Sequence, residues 1–373
     1  MGGGAHLHVA SGYSARYGAS HPHDLIARAA ERGIGTLALT DRDTVTGIVR
    51  FAKAATAAGV RPVFGVDVAV APYFPAGPAQ GGRTPVRGGA HVVEAPLRVT
   101  LLAQDAAGWG RLCRLVSAAH ATSAGGPPVV AWPVLQRYAD EGLTIVLGPA
   151  SEPVRALSAG RPDIAEQLLA PWREVVGANL RMEVLWWGMQ GLGPGSLRLA
   201  AHTLALADRL GVPAVLTNAV RYADPGQHRI ADVLDAARLL RPIDRRRLDC
   251  GERWLKDSDA MAAAAEQICQ AAGAGPGRAA ALLAETVRTG EQCVIDPVAT
   301  HPAGASPPAP NAPATTARRS PNRAAGPTTA PPWRATSRTA TAGRTTPSSE
   351  YCRRTPQPSV TYALSRDSPA RQS

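Results

Sequence analysis

No pair of cysteines in this chain has the C-x-x-C spacing of a zinc knuckle or a redox motif. The five present, Cys113, Cys250, Cys269, Cys293 and Cys352, are an odd number. Neither a metal ribbon nor a disulfide framework is indicated, and a reducing cytoplasm is the expected compartment. The start, Met1 to His6, has no basic segment followed by an apolar one, and no apolar run reaches the roughly 18 residues a membrane span needs, so neither secretion nor membrane insertion is expected. Met1-Gly2 would suit myristoylation, but His6 stands where that signal needs Ser or Thr.

Acidic residues are scarce toward the end of the chain. The net charge of +11 and isoelectric point near 10.1 point to nucleic acid until the charge is located. Residues 297–373 hold ten arginines against Glu350 and Asp367, a balance of +8, which leaves 11 − 8 = +3 for residues 1–296. The same stretch has no Ile, Met, Phe or Lys, and is mostly Pro, Ala, Thr, Ser and Arg. Such a composition buries too little apolar surface to offset its ordering entropy, and it reads as a disordered, solvated tail. A basic DNA-binding arm is the functional alternative. A third reading is out-of-frame translation of a GC-rich gene, which yields arginine-heavy, lysine-free text.

From residue 5 to 224 short apolar runs alternate with amphipathic stretches, the signature of an α/β fold. The patterns predict strands at Thr36–Thr40, Val63–Val70, Val99–Ala103, Leu143–Leu147, Leu180–Leu185 and Ala214–Thr217. Helices are predicted at Pro22–Arg32, Thr44–Ala58, Ala106–Ala121, Pro162–Val176 and Gly195–Leu210, the first capped by Ser20 and stopped by Gly33. Pro75–Gly89 reads as a mobile surface insertion. Residues 225–290 turn helical, with later helices at Asp257–Ala272 and Gly277–Arg288.

Parallel strands joined by helices gather the loops after each strand at one rim. Asp41-Arg42-Asp43, Asp67 and Asn218-Ala219-Val220-Arg221 all fall at such ends. His6 and His8, at i and i+2 on a strand, are expected to share a face, as ligands of a hydrolytic metal centre would. Alone, an H-x-H pair is more often packing. Asp41 and Asp43 read either as metal ligands or as caps of the following helix paired with Arg42 or Arg98. Trp186-Trp187 is expected to place one ring in the core and one over it, although a base-stacking platform is the functional alternative. Arg241 and Arg245-Arg246-Arg247 form a basic cluster whose default is a solvated face, and His120, His202 and His228 belong to no constellation.

Several segments in order carry a resemblance: HLHVASGYSARYGAS, LALTDRDTVTGIVRFAKAATAAGVRPVFGVDV, RVTLLAQDAAGWGRLCRLVSAAH, LTIVLGPASEPV, VPAVLTNAVRYADPGQHRIADVL and RWLKDSDAM. Together they make the stretch from His6 to about Pro297 resemble the N-terminal polymerase-and-histidinol-phosphatase (PHP) domain of bacterial C-family DNA polymerases, the polymerase III alpha subunit and its error-prone homologues. The resemblance implies a distorted (β/α)7 barrel over residues 5–224, a helical extension over 225–296 toward a polymerase palm, and the tail over 297–373. In metal-bearing members the pattern H-L-H-x-H-S, L-D-G, T-D-H-D, G-x-E, a His before an L-L-A strand, L-S-G-C and N-D-V-H-Y holds zinc, manganese or magnesium for phosphoester hydrolysis, implied to be 3′–5′ exonuclease activity.

Carried onto this chain residue by residue, the pattern keeps its first histidine at His8. Its other positions fall on Ala10, Tyr17, Arg42, Asp67 (a shorter carboxylate for Glu), Arg98, Pro149, Ala219 and Arg221. Ala and Pro donate nothing to a metal and Arg does not deprotonate, so a metal-free, catalytically dead site is expected, with the arginines paired to Asp41, Asp43 or Asp67. His6, His8, Asp41, Asp43 and Asp67 would remain as a residual polar cluster. No aspartate lies between Asp296 and Asp367, so the tail cannot hold a palm triad. The expected role is a truncated structural module, with a frameshift as one reading of its tail, whose partner is the remainder of a polymerase. The rivals are a standalone metal-dependent PHP phosphoesterase and a basic DNA-binding protein using the tail.

Overall fold

The computed structural model describes residues 3–73, 97–123, 126–139, 141–243 and 248–296. The predicted insertion Pro75–Gly89, the cluster Arg245-Arg246-Arg247 and the tail over 297–373 lie outside the described residues. Residues 1–306 make one compact unit, and a second unit, 307–373, lies wholly among the residues not described.

Seven strands form one sheet in sequence order: β1 (Ala5–His6), β2 (Thr36–Leu39), β3 (Arg61–Ala69), β4 (Arg98–Ala103), β5 (Leu143–Leu147), β6 (Leu180–Val184) and β7 (Ala214–Leu216). A parallel bridge between Val9 and Val220 joins the two edges, with the Ala10 amide donating to the Val220 carbonyl and the Val220 amide to the His8 carbonyl, both at 2.9 Å. The sheet thus curls into the expected barrel-like α/β fold. One expectation fails: β4 runs antiparallel to both β3 and β5, whereas every other pair is parallel. Antiparallel neighbours need no crossover helix between them, and β4 starts beside the ends of β3 and β5.

Around the sheet lie α1 (Pro22–Glu31), α2 (Ile48–Ala58), α3 (Ala106–Ala121), α4 (Trp132–Tyr138), α5 (Glu152–Ser158), α6 (Pro162–Val176), α7 (Leu197–Leu210), α8 (His228–Leu239), α9 (Ser258–Ala271) and α10 (Arg278–Gln292). Their ends follow local chemistry. Asp105 caps α3 by accepting from the Gly108 amide at 2.6 Å, Ser196 caps α7, and Gly59 and Gly211 end α2 and α7 in left-handed conformations. The start of α1 differs from expectation: His21 is its cap residue, and the Ser20 hydroxyl instead donates to the Gln227 side chain at 2.8 Å. The second predicted helix also begins later, at Ile48, because residues 44–47 form a turn in which Thr44 and Thr46 bond to each other.

The apolar faces of the outer helices and the outward side chains of the strands share one core built around Leu25, Leu37, Leu39, Phe51, Leu101, Leu112, Ile145, Leu169, Trp172 and Leu204. Inward-pointing Leu7, Ala38, Val63, Leu102, Val146 and Val215 form a second, smaller cluster inside the barrel, closed by Cys293 just past α10. The later helices pack back on the sheet, α10 against β1, β2 and β7, and α9 against α7. Arg181, inside the barrel, pairs with Glu285 of α10 at 3.1 Å, and the Leu216 amide donates to the Thr286 hydroxyl at 2.8 Å. This mouth is therefore stopped, and the opposite rim carries the cleft. No helix among the described residues is long and apolar enough to cross a membrane, and the four described cysteines are free.

Candidate functional site

At the open rim a cleft of about 650 Å³ is lined by His8, Tyr17, Arg42, Asp67, Arg98, Pro149, Glu183 and Ala219, among others. Strand ends bring most of these residues together. Arg98 arrives by a different route, at the start of the reversed β4, opposite Ala69 in the β3 register.

Asp67 lies at the centre of an ion network. Arg98 donates through Nε to its carboxylate at 3.0 Å and through Nη2 to its carbonyl at 2.7 Å, and Arg42 Nε lies 3.4 Å from the same carboxylate. Arg98 also pairs with Asp43 at 3.1 Å. Burial pushes the Asp67 carboxyl up, but Arg98, Arg42 and His8 outweigh it and hold it below the usual carboxylate range. At Asp43 burial wins over Arg98, and the carboxyl is raised.

Tyr17 occupies the space between four guanidiniums. Arg42 lies 3.4 Å and Arg221 4.1 Å from its ring centre, with Arg253 and Arg238 at 5.5 and 5.6 Å. Its hydroxyl oxygen accepts from Arg253 at 2.6 Å. Burial alone would raise the phenol, but Arg253, Arg42 and Arg221 bring it down to about 7. Arg253 also donates to the Ala219 carbonyl at 3.0 Å and stacks over Trp187 at 4.4 Å.

His8 and His6 part company, contrary to the shared face expected of an i, i+2 pair. β1 ends at His6 and Leu7 turns into the barrel interior, so strict strand alternation does not extend to His8. His8 Nδ1 meets Glu183 at 2.7 Å, and Glu183 also accepts from the Thr217 hydroxyl at 2.5 Å. Burial depresses the imidazole, but the Glu183 carboxylate outweighs it and raises His8. His6 instead donates through Nε2 to the Lys256 carbonyl at 2.8 Å, and burial takes it down to about 4.

Two further expectations are corrected. Asp41 neither caps a helix nor pairs with an arginine. Its carboxylate accepts from the Ser11 amide and the Ser14 hydroxyl, both at 2.7 Å, and burial raises it. Arg221 turns away from the rim aspartates to Asp235 of α8 at 2.8 Å and Asp249 at 3.2 Å, and donates to the Tyr17 carbonyl at 3.0 Å. Both carboxylates come from the extension, which the rim pattern did not include. Trp186 and Trp187 lie just past β6: Trp186 packs on the core, and Trp187 walls the cleft, donating to the Asn218 carbonyl at 3.1 Å.

Sequence reasoning missed Glu183, Arg253, Arg155 and Trp187 as cleft residues. For Glu183 a signal existed, since Arg181 and Glu183 alternate with Leu180, Met182 and Val184 in an otherwise apolar strand. His120 donates to the Asp43 carbonyl at 2.7 Å, which links α3 to the rim.

The donors present do not fit a divalent metal cluster. Ala10, Pro149 and Ala219 offer no side-chain ligand, Arg42, Arg98 and Arg221 bring positive charge, and the Tyr17 oxygen is held by Arg253. Among the described residues no group of three or more His, Cys, Asp or Glu side chains is placed to hold a metal ion. Ala219 also sits at φ +41°, where an alanine is strained and Asn or Asp is better tolerated.

Comparison with known proteins gives a consistent family. The PHP domain family matches residues 6–185. The error-prone DNA polymerase of Mycolicibacterium paratuberculosis is 34% identical over 254 residues, 67% of this chain and 21% of that polymerase. The DNA polymerase III subunit alpha of Xylella fastidiosa is 29% identical over 64% of this chain and 18% of its own length. The chain thus spans about a fifth of the length of these curated relatives. Among solved structures, an amidohydrolase from Chromobacterium violaceum aligns with a TM-score of 0.37 at 19% identity, covering 57% of this chain and 86% of that one.

Proposed function

We propose, from the match of the PHP domain family to residues 6–185, that this chain is the N-terminal module of a polymerase III alpha-type or error-prone DNA polymerase, serving there as a metal-free scaffold without hydrolytic activity. The observation that carries this reading is the ion network on Asp67. A carboxylate that would face a cation in a metal-bearing relative is here bound by Arg98 and Arg42. A buried carboxylate with two guanidiniums is already compensated, and a dication would have to break an existing ion pair and meet the repulsion of the remaining guanidinium. Of the vestigial positions His8, Ala10, Tyr17, Arg42, Asp67, Arg98, Pro149, Ala219 and Arg221, the polar side chains then hold the rim together by ion pairs and hydrogen bonds. The remainder of a polymerase is the partner, and the cytoplasm its compartment.

The rival enzyme reading, a metal-dependent phosphoesterase, needs ligands that the cleft does not offer. The test is metal analysis of the purified chain after exposure to zinc, manganese and magnesium, together with a 3′–5′ exonuclease assay. Sub-stoichiometric metal and no nuclease activity are expected. Stoichiometric metal with an activity abolished by His8→Ala would overturn the scaffold reading.

A further inference from the structure

Of the eight large apolar side chains exposed among the described residues, five fall between positions 230 and 248: Ile230, Val233, Leu240, Ile243 and Leu248. The first three, with Ala237, repeat at spacings of three and four along α8 and its cap, which puts them on one face of the helix. Ile230, Val233 and Leu240 are 47, 55 and 57% exposed. The opposite face is polar and points inward. Asp235 and Arg238 lie there beside Arg221, and Ala231 is the buried residue of the helix. α8 is thus inside out for a helix on a soluble surface, which ordinarily buries its apolar stripe.

Two contacts fix this orientation. Arg221, itself 3% exposed, grips Asp235 through two hydrogen bonds of 2.8 and 2.9 Å and Asp249 through a third. The Asp249 amide donates to Asp232 at 2.6 Å, which brings Leu248 beside the helix. Among the described residues nothing covers the apolar side of this helix, which is held by its charged side. The stripe residues themselves are apolar, with Arg229 and Arg241 on their flanks. Such a stripe suits an apolar protein surface. The relatives supply the size of what lies outside: the matched region is 21% of the error-prone polymerase, so most of such a polymerase is chain that this domain must adjoin.

We propose that the outward face of α8, with Leu248 and Ile243, is the surface on which the polymerase body docks an apolar helix or strand face, and that Arg221 anchors it. This rests on the scaffold reading above. A position that the family pattern gives to a ligand histidine thereby serves to present a docking helix.

The test is a chimera in which residues 1–296 replace the matched N-terminal region of the Mycolicibacterium paratuberculosis error-prone polymerase, with and without Val233→Asp and Leu240→Asp. The unsubstituted chimera is expected to extend primers. The doubly substituted one should lose about tenfold or more of that activity, the scale seen when central interface side chains are replaced. The 373-residue chain carrying the same exposed substitutions should keep its melting temperature, which separates docking from folding. Extension unaffected by the substitutions overturns the docking and leaves the scaffold reading standing. A folded but inactive unsubstituted chimera overturns the scaffold reading and the docking with it. A dimer of the chain in sedimentation, dissolved by the same substitutions, names a second copy as the occupant and also overturns the proposal.

Discussion

The guanidinium carbon of Arg42 lies 3.4 Å from the centre of the Tyr17 ring, close enough for the cation to act on the phenol as directly as on a carboxylate. Arg253 donates to the hydroxyl and Arg221 lies 4.1 Å from the ring centre, so the surrounding cations favour the phenolate.

Tyr17 should therefore ionise with a midpoint of about 7, far below the ordinary phenol value of 10.0. A depressed acid stabilises the fold when ionised, so its contribution is complete above the unfolded value near 10 and is lost as pH falls through about 7. Ultraviolet titration should show one early phenolate that is absent in Tyr17→Phe. The stability advantage of wild type over that variant should grow between pH 7 and 9. Coincident, pH-independent denaturation curves would contradict this.

Asp67→Asn removes the charge shared by Arg98 and Arg42 while keeping the shape of the side chain. Two partly buried guanidiniums are left undercompensated, and a loss of about 3 kcal/mol is expected in urea denaturation. Because the Asp67 carboxyl is held below its ordinary 3.8, its stabilisation is present above that value and is lost as pH falls through the lower folded one. The wild-type and Asp67→Asn curves should converge in acid.

A methyl group built on Gly148 would come within 1.8 Å of Glu183 Oε2. Gly148→Ala should push the carboxylate off His8 and cost about 1–3 kcal/mol as an overpacking substitution. Glu183 is what raises His8, so the imidazole midpoint, followed by NMR, should fall in the variant. An unchanged midpoint would show that Glu183 is held elsewhere.

Arg221→Met keeps the aliphatic bulk and removes the grip on Asp235 and Asp249. Amide exchange along residues 228–239 should accelerate well beyond that of α1 or α7, at an overall cost of about 3–5 kcal/mol. Uniform acceleration across the barrel would mean that Arg221 supports the whole domain rather than this helix.

What could be read from the sequence, and what could not, divides on physical grounds. Leu143–Leu147, Ala106–Ala121 and Pro162–Val176 have the predicted bounds, because apolar period and end signals are local properties. The reversal of β4 is not local: the apolar pattern of Val99–Ala103 suits either direction, and its orientation is set by pairing with β3 and β5. In the cleft, Arg42 and Asp67 could be matched because strand ends collect at one rim, whereas Arg98, at the start of the reversed β4, joined them only through the resemblance. The Asp235 partner of Arg221 lies on a helix fourteen residues later, and the partner of the Tyr17 hydroxyl is Arg253, where nothing in the intervening pattern marks the approach. His6 and His8 mislead for a related reason, since β1 is two residues long and the alternation that would pair them stops before His8.

The seam at Val9 and Val220 has a consequence for how the domain is made. The segment just past β1 finds its final neighbour only across about 210 residues of chain, and closing so long a loop is slow. At ribosomal rates of about 5–20 residues per second the N-terminal segment waits roughly 10–40 s for its mate to be synthesised. Through that interval Leu7 and Val9, fully buried in the finished barrel, have one edge open.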